Sequence, residues 1–554
     1  MSRAGLITWR SKTSSTADGI WGPSFEEYST RDFEPYETEP DAETEGFYDK
    51  YQAFHLKTVQ NSLFKLDPRD PPEDMIPLSF LVYGMGRYSN VNKKCPIFKH
   101  YYGFVCVRHL IQGACYTLLS QSDNLDQLKS LPRSATWGEM SRVLAFKAMD
   151  VTVEMAQDDQ LFEMLLNTLS GASSDQEQDM EESYALMIIS SLWFDRNSFM
   201  ILCSRGLLPG CALLLLATYR FLLKEFDKRG VSTTILLLRD LIFRLFLVGS
   251  TRDREILQVV CVPALQKSIA GPLGARAYCF LSTEDSRMVR RAFSGLLIVW
   301  QEVRSSSAYI STFVLNGLLK FVLRLSISDP NATPQEQMDI AHATLKLYWL
   351  MFEDHGSYLW STEHPSFRLY AIDILAFLVF TKRLRTSKDR YEFSQMLAEL
   401  DAIALLGRVW LLLGLCLGMS DLVLDLEDRN TEHIETLLKN SLPLVEPLGN
   451  SVAAAPQLFK ESEIEWAKVF QQHNTQRNLL DNKTDIQLLR LTERMSEDWM
   501  LYGKSLNKDE HQAQQCAYPR CPLGLLPGAA WRSRYVCGRC RVATYCDSHC
   551  QQGH

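Results

Sequence analysis

Six cysteines fall within residues 516–554, in the order Cys516-x4-Cys521-x15-Cys537-x2-Cys540-x5-Cys546-x3-Cys550. The other eight of the fourteen are scattered singly through the preceding chain. Clustered thiolates are soft ligands. Zinc takes them, with imidazoles, in a tetrahedral shell, and structural zinc sites are closed by four protein ligands. Two residues between Cys537 and Cys540 let both sulfurs point inward from a tight turn, which Gly538 favours. Three residues between Cys546 and Cys550 are the spacing of one helical turn, which sets both on one face. Cys516 and Cys521 form a wider knuckle containing Pro519. Three ligand pairs are present, whereas two closed ions need four.

No other chemistry competes with this cluster. Cys95, Cys106, Cys115, Cys203, Cys211, Cys261, Cys279 and Cys416 mostly sit among apolar neighbours, where a free thiol behaves as a small hydrophobe. That usage fits a reducing, intracellular compartment, cytoplasm or nucleus, in which clustered cysteines bind metal rather than pair as disulfides. The eleven histidines are dispersed, and His100, His109 and His342 fall in helical segments as core or edge residues. Gly503-Lys504-Ser505 resembles the end of a phosphate-binding loop, but the Gly required five residues earlier is Asp498. There is no His-Glu-x-x-His, Gly-x-Ser-x-Gly or Gly-x-Gly-x-x-Gly. The reading is therefore non-enzymatic. A net charge of −8 and a pI near 5.9 argue against broad nucleic-acid binding, which needs clustered Lys and Arg.

The string Cys537-Gly-Arg-Cys540 followed by Tyr545-Cys546-Asp-Ser-His-Cys550-Gln551 resembles the MYND-type zinc finger. The wide first pair and 15-residue spacer are similar to MYND fingers at the ends of many fungal proteins. The resemblance spans residues 516–554 and says nothing of the rest. It implies interleaved ligands. Cys516, Cys521, Cys546 and Cys550 would form one complete Zn2+ site, and Cys537 and Cys540 would begin a second, incomplete one. In the family the pattern continues past Cys-Gln-x-x with an acidic residue, a Trp, a His and a final Cys. Here His554 stands at the acidic position and is a candidate substitute third ligand for the second site, as is His549, which lies between two ligands at a position usually solvent-facing in the family; the Trp, His and Cys positions lie past His554. This pattern is expected either of a truncated gene model or of a structural finger that lost its second metal. A sequential set of Cys537, Cys540, Cys546 and Cys550 around one ion remains open. The resemblance also implies a protein partner that presents a proline-rich peptide. Gln551 matches one of the two groove residues of the family, and the groove Trp is absent. Some such fingers accompany SET-domain lysine methyltransferases, but this chain has no Asn-His pair and little strand pattern.

The elements that must carry this tail read as all-α. From 76 to 505 apolar residues recur at three- and four-residue spacing, without sustained alternation. Helices are expected near 97–120, 136–157, 177–203, 206–228, 232–248, 252–269, 286–304, 307–327, 334–353, 364–383, 389–418, 431–442 and 457–504. Long helices with short turns suggest an α-solenoid like the HEAT or armadillo arrays, or an irregular bundle, since no repeat signature is visible. In Ser232–Val248 the charges Arg239, Asp240 and Arg244 share one side and the remainder is apolar, so most of that helix is expected to be buried. Thr251 is the expected cap of the next helix, with Asp253 in its first turn.

Cys211–Leu223 and Val409–Ser420 are apolar but only about a dozen residues each. A span needs roughly 20, so they read as core helices with no membrane contact. Residues 1–75 read as a mostly disordered acidic segment, since ten acidic residues face only Arg31 between Glu26 and Asp49. Phe25, Tyr28, Phe33, Tyr36, Phe47 and Tyr48 are interleaved there. That pattern is open to a transcriptional-activation role or to a tail with a few residues docked on the body. The first residues have no apolar run of signal-peptide length. Residues 506–515 are a polar linker. The whole reads as a zinc-binding interaction or scaffold protein, with a transcriptional regulator as the alternative.

Overall fold

The computed structural model describes residues 21–30, 56–65, 78–91, 96–122, 137–155, 182–219, 233–258, 283–302, 333–355, 386–408 and 455–459, the pairs 535–536, 544–545 and 551–552, and a few single positions between 318 and 497. Within these residues the chain is all-α, apart from one two-residue antiparallel pair. The helices are α1 (Phe25–Tyr28), α2 (Leu56–Lys65), α3 (Leu78–Val91), α4 (Tyr101–Gln121), α5 (Trp137–Met155), α6 (Glu182–Phe194), α7 (Arg196–Ser204), α8 (Thr233–Val248), α9 (Thr251–Ile256), α10 (Thr283–Glu302), α11 (Pro334–His355) and α12 (Ser387–Glu399). Residues 211–219 and 402–408 are also helical. The expected helices at 364–383 and 431–442 lie outside the described residues, and those at 307–327 and 457–504 lie almost wholly so.

The chain divides into two compact units, one running to Cys279 and one from Phe280, with Ser307–Val314 belonging to the first. In the first unit α4 is the central helix. Every residue from 101 to 112 is buried, and α2, α3 and α5 pack around it. A helix apolar on all sides is a core helix. The polar groups it does carry must then find partners inside. Arg108 donates to Ser141 Oγ at 2.6 Å, and Ser62 Oγ lies 3.0 Å from His109 Nε2. Residues 211–219 are helical and buried along their whole length; they begin only at Cys211 because Gly206 and Gly210 hold φ of 68° and 83°, values that end a helix. The expected helix 206–228 therefore starts five residues late.

The expected single helix 177–203 is two. It breaks at Asp195, and the axes of Tyr184–Phe194 and Arg196–Ser204 are bent by 82°. Asp195 is buried; its Oδ2 accepts the Phe98 N–H of a distant loop at 2.7 Å, and its carboxylate also bonds Ser198 of α7. Arg196 folds back, donating to Trp193 O at 2.9 Å with its guanidinium over the Trp193 ring. Among the described residues no single helix is long and apolar enough to cross a membrane; only this bent pair passes that test together.

The cap of α9 is Ser250 rather than Thr251. Ser250 Oγ accepts the Asp253 N–H at 3.2 Å, and Asp253 Oδ2 accepts the Ser250 N–H at 3.1 Å, a reciprocal capping box. Helix α8 is buried more completely than its pattern suggested, since even Arg239, Asp240 and Arg244 are inside. Arg244 Nε pairs with Asp240 one turn away, and its other end reaches Met200 Sδ at 3.6 Å.

In the second unit α10 packs on α11, and α11 on α12. Thr333 caps α11 through a second reciprocal box with Glu336, and Pro334 occupies the first helical position, where its missing N–H costs nothing. Glu336 also receives Arg287 at 3.2 Å and Arg290 at 2.9 Å from α10, which ties the two helices. The expected helix 389–418 is interrupted at Leu400–Asp401, where Asp401 has φ of 50°. The Leu400 carbonyl freed there accepts Trp349 Nε1 at 2.5 Å.

Candidate functional site

The candidate ligands Cys516, Cys521, Cys537, Cys540, Cys546, Cys550 and His554 all lie outside the described residues. Their immediate chain neighbours do not. Tyr535–Val536 (β1) pairs antiparallel with Thr544–Tyr545 (β2), in the register Tyr535↔Tyr545 and Val536↔Thr544. Gln551 and Gln552 are helical, directly after Cys550. Cys537 and Cys540 thus belong to the segment 537–543 that joins the two strands, and Cys546 directly follows β2. The pairing turns the chain back on itself at the inter-strand spacing of about 4.8 Å. Two ligand pairs separated in sequence need such a return to share one small domain. Among the described residues no group of three or more His, Cys, Asp or Glu converges on a point that could hold a metal.

The other polar and thiol groups singled out in the sequence have structural surroundings. Cys106, Cys115, Cys203 and Cys211 are buried and free. Burial pushes the Cys106 and Cys115 thiols up to about 12, so neither supplies a thiolate nucleophile at neutral pH. His100 is buried with its Nδ1 2.8 Å from Tyr88 Oη. His109 is buried beside Ser62, and burial lowers its imidazole to about 4, so it is neutral at pH 7. Burial raises Asp195 to about 6, against the opposing bonds from Ser198 and the Phe98 N–H. His342, on α11, is half-buried.

One set of contacts has no counterpart in the motif reading. Residues 21–30, inside the acidic segment, lie against the first unit. Trp21 sits edge-on to both Tyr88 and Tyr102, each at 5.0 Å, and Tyr28 stacks on Phe104 at 5.2 Å. The signal available was local, a Trp and a Tyr seven residues apart around Gly22-Pro23, but net acidity dominates any composition-based view of this stretch. Of the six interleaved aromatics, Tyr28 is buried and Phe25 half-buried; Phe33, Tyr36, Phe47 and Tyr48 lie outside the described residues.

No family model, no curated protein and no solved structure matches the chain.

Proposed function

We propose that the protein is a non-enzymatic, zinc-binding interaction scaffold, with a MYND-like finger at 516–554 as one docking element and the helical body as another. The observation that carries this reading is the cysteine spacing, supported by the β1–β2 pairing that brackets Cys537 and Cys540. Cys516, Cys521, Cys546 and Cys550 hold one Zn2+ as a closed four-thiolate site; Cys537 and Cys540, with His554, form the weaker second half. The metal supplies folding energy rather than catalysis, because a small cysteine-rich module has too little core of its own. Its partner is a protein, with Gln551 lining the contact and a proline-rich peptide as the family-implied ligand.

For the body, the packing in the first unit favours the irregular bundle over a regular solenoid. Helix α3 packs on α6 as well as on α4, and α5 packs on the distant α9. Stacked repeats contact mainly their neighbours.

Zinc analysis of the purified polypeptide tests this reading. About one zinc per chain is expected from the single closed site, and the Cys546→Ser variant is expected to lose it. Two zinc ions per chain would assign His554 or another group to the second site. A metal-free protein would defeat the finger.

A further inference from the structure

Four thiols are buried and free among the described residues of the first unit, and two of them are neighbours. Cys203, near the end of α7, and Cys211, at the start of the helix 211–219, stand within hydrogen-bonding reach of each other. We propose that these two are a redox pair: hydrogen peroxide converts them into a disulfide that ties α7 to the helix 211–219, and a thiol reductant reopens it.

The connection between them is shaped for the close approach. Only residues 204–210 intervene, and Gly206 and Gly210 hold left-handed φ of 68° and 83°, which turns the chain back after α7. The Gly206 N–H donates to Cys203 O at 2.9 Å and the Leu207 N–H to Leu202 O at 3.0 Å, which fixes the end of α7 beneath the turn. A Cβ at Gly210 would stand 3.1 Å from Cys115 Sγ of α4 and 3.1 Å from Ala145 Cβ of α5. A glycine there lets the returning chain seat Cys211 in the core.

Cys115 is therefore a second thiol beside this turn, but exposure separates the three. Cys203 keeps 7% of its surface open, next to the exposed Ser204, Arg205 and Gly206, whereas Cys211 is at 0% and Cys115 at 1%. A molecule as small as hydrogen peroxide meets Cys203 first.

The chemistry balances over two steps. The Cys203 sulfur attacks one peroxide oxygen; the S–O bond forms, the O–O bond breaks, and the departing oxygen leaves as water with the thiol proton. The Cys211 sulfur then displaces the oxygen of the sulfenic acid; the S–S bond forms, the S–O bond breaks, and a second water carries off the Cys211 proton. Two thiols lose two electrons and one peroxide gains them. Burial, with the Cys211 thiol and Asp253 nearby, holds the Cys203 thiol well above its ordinary value, so the reactive thiolate is scarce at neutral pH. The pair answers sustained oxidant slowly and does not act as a catalyst.

Peptide mapping of the folded full chain tests the pairing. Hydrogen peroxide is added while circular dichroism confirms that the helices persist; the sample is quenched in acid, its remaining thiols are blocked, and it is digested with trypsin. Cleavage at Arg196, Arg205 and Arg220 separates the two cysteines, so the disulfide joins peptide Asn197–Arg205 to peptide Gly206–Arg220. That joined species is expected in the mass spectrum, is expected to vanish on reduction with dithiothreitol, and should form about tenfold faster at pH 8 than at pH 7, following the thiolate fraction. Cys211 joined to Cys115 or to any other cysteine would overturn the pairing. So would Cys203 carried to sulfinic acid without a partner, or both thiols still free after prolonged oxidant. A rate that is flat between pH 7 and 8 would overturn attack by the buried Cys203 thiol.

Discussion

Cys546 and Cys550 are the side chains on which the two zinc arrangements agree, since both are ligands in the interleaved and in the sequential set. Cys516 separates them. It belongs only to the interleaved site, so Cys516→Ser should release the zinc if that arrangement is right and retain it if Cys537, Cys540, Cys546 and Cys550 hold the ion. Zinc content after dialysis distinguishes the two. At the same scale, His109 links stability to pH. Its folded value of about 4 lies below the ordinary 6.5, so the unfolded chain takes up a proton first on acidification. The stability it contributes is complete above about 6.5 and is lost as pH falls towards 4. Asp195 works in the opposite sense, because its raised value means that the folded form binds the proton first between about 6 and 3.8. His109→Gln removes only the first effect. Its Tm should therefore fall less between pH 7 and 4.5 than that of the native chain; an equal or steeper fall would contradict the burial of a neutral imidazole.

At the scale of elements, α8 shows what periodicity can and cannot say. The pattern in Ser232–Val248 identifies a helix with charges on one side, and the helix forms at Thr233–Val248. It does not reveal that the charged side is also buried, because an Asp-Arg pair one turn apart satisfies itself within the helix. Removing one partner strands the other charge. Asp240→Ala should cost about 3–5 kcal/mol, whereas the double replacement Asp240→Leu with Arg244→Met should cost far less. Urea denaturation of both variants measures the difference, and equal losses would mean that the pair is not the determinant.

The same limit explains the misplaced helix ends. Asp195 breaks the predicted 177–203 helix through a bond to Phe98, a residue about a hundred positions away in sequence and invisible to a local window. Ser250 rather than Thr251 caps α9 because Asp253 stands three residues after Ser250, a box the sequence does contain. Helix α2 falls within the segment 1–75 expected to be mostly disordered; Leu56, Val59, Gln60 and Leu63 are buried there, but the acidity of residues 26–49 dominates the composition of that whole segment.

At the scale of the molecule, fold class was readable because long apolar runs of helical period have few other solutions. Topology was not, because the pairing of α3 with α6 and of α5 with α9 depends on side-chain fit between distant segments. The candidate site rests on a different kind of signal, and its ligands lie outside the described residues. Metal ligation demands particular residue types at particular spacings, so a zinc site can be proposed from local sequence alone. The packing of residues 21–30 was not readable in this way, since aromatic packing accepts many sequences and only the assembled Tyr88, Tyr101, Tyr102 and Phe104 give Trp21 and Tyr28 their place.

Zinc K-edge X-ray absorption on the purified polypeptide tests the closed four-thiolate site most directly. Four sulfur neighbours at about 2.3 Å are predicted, with no light-atom scatterer in the first shell. In protein carrying one zinc per chain, a shell containing nitrogen or oxygen would contradict it, as would a protein without zinc.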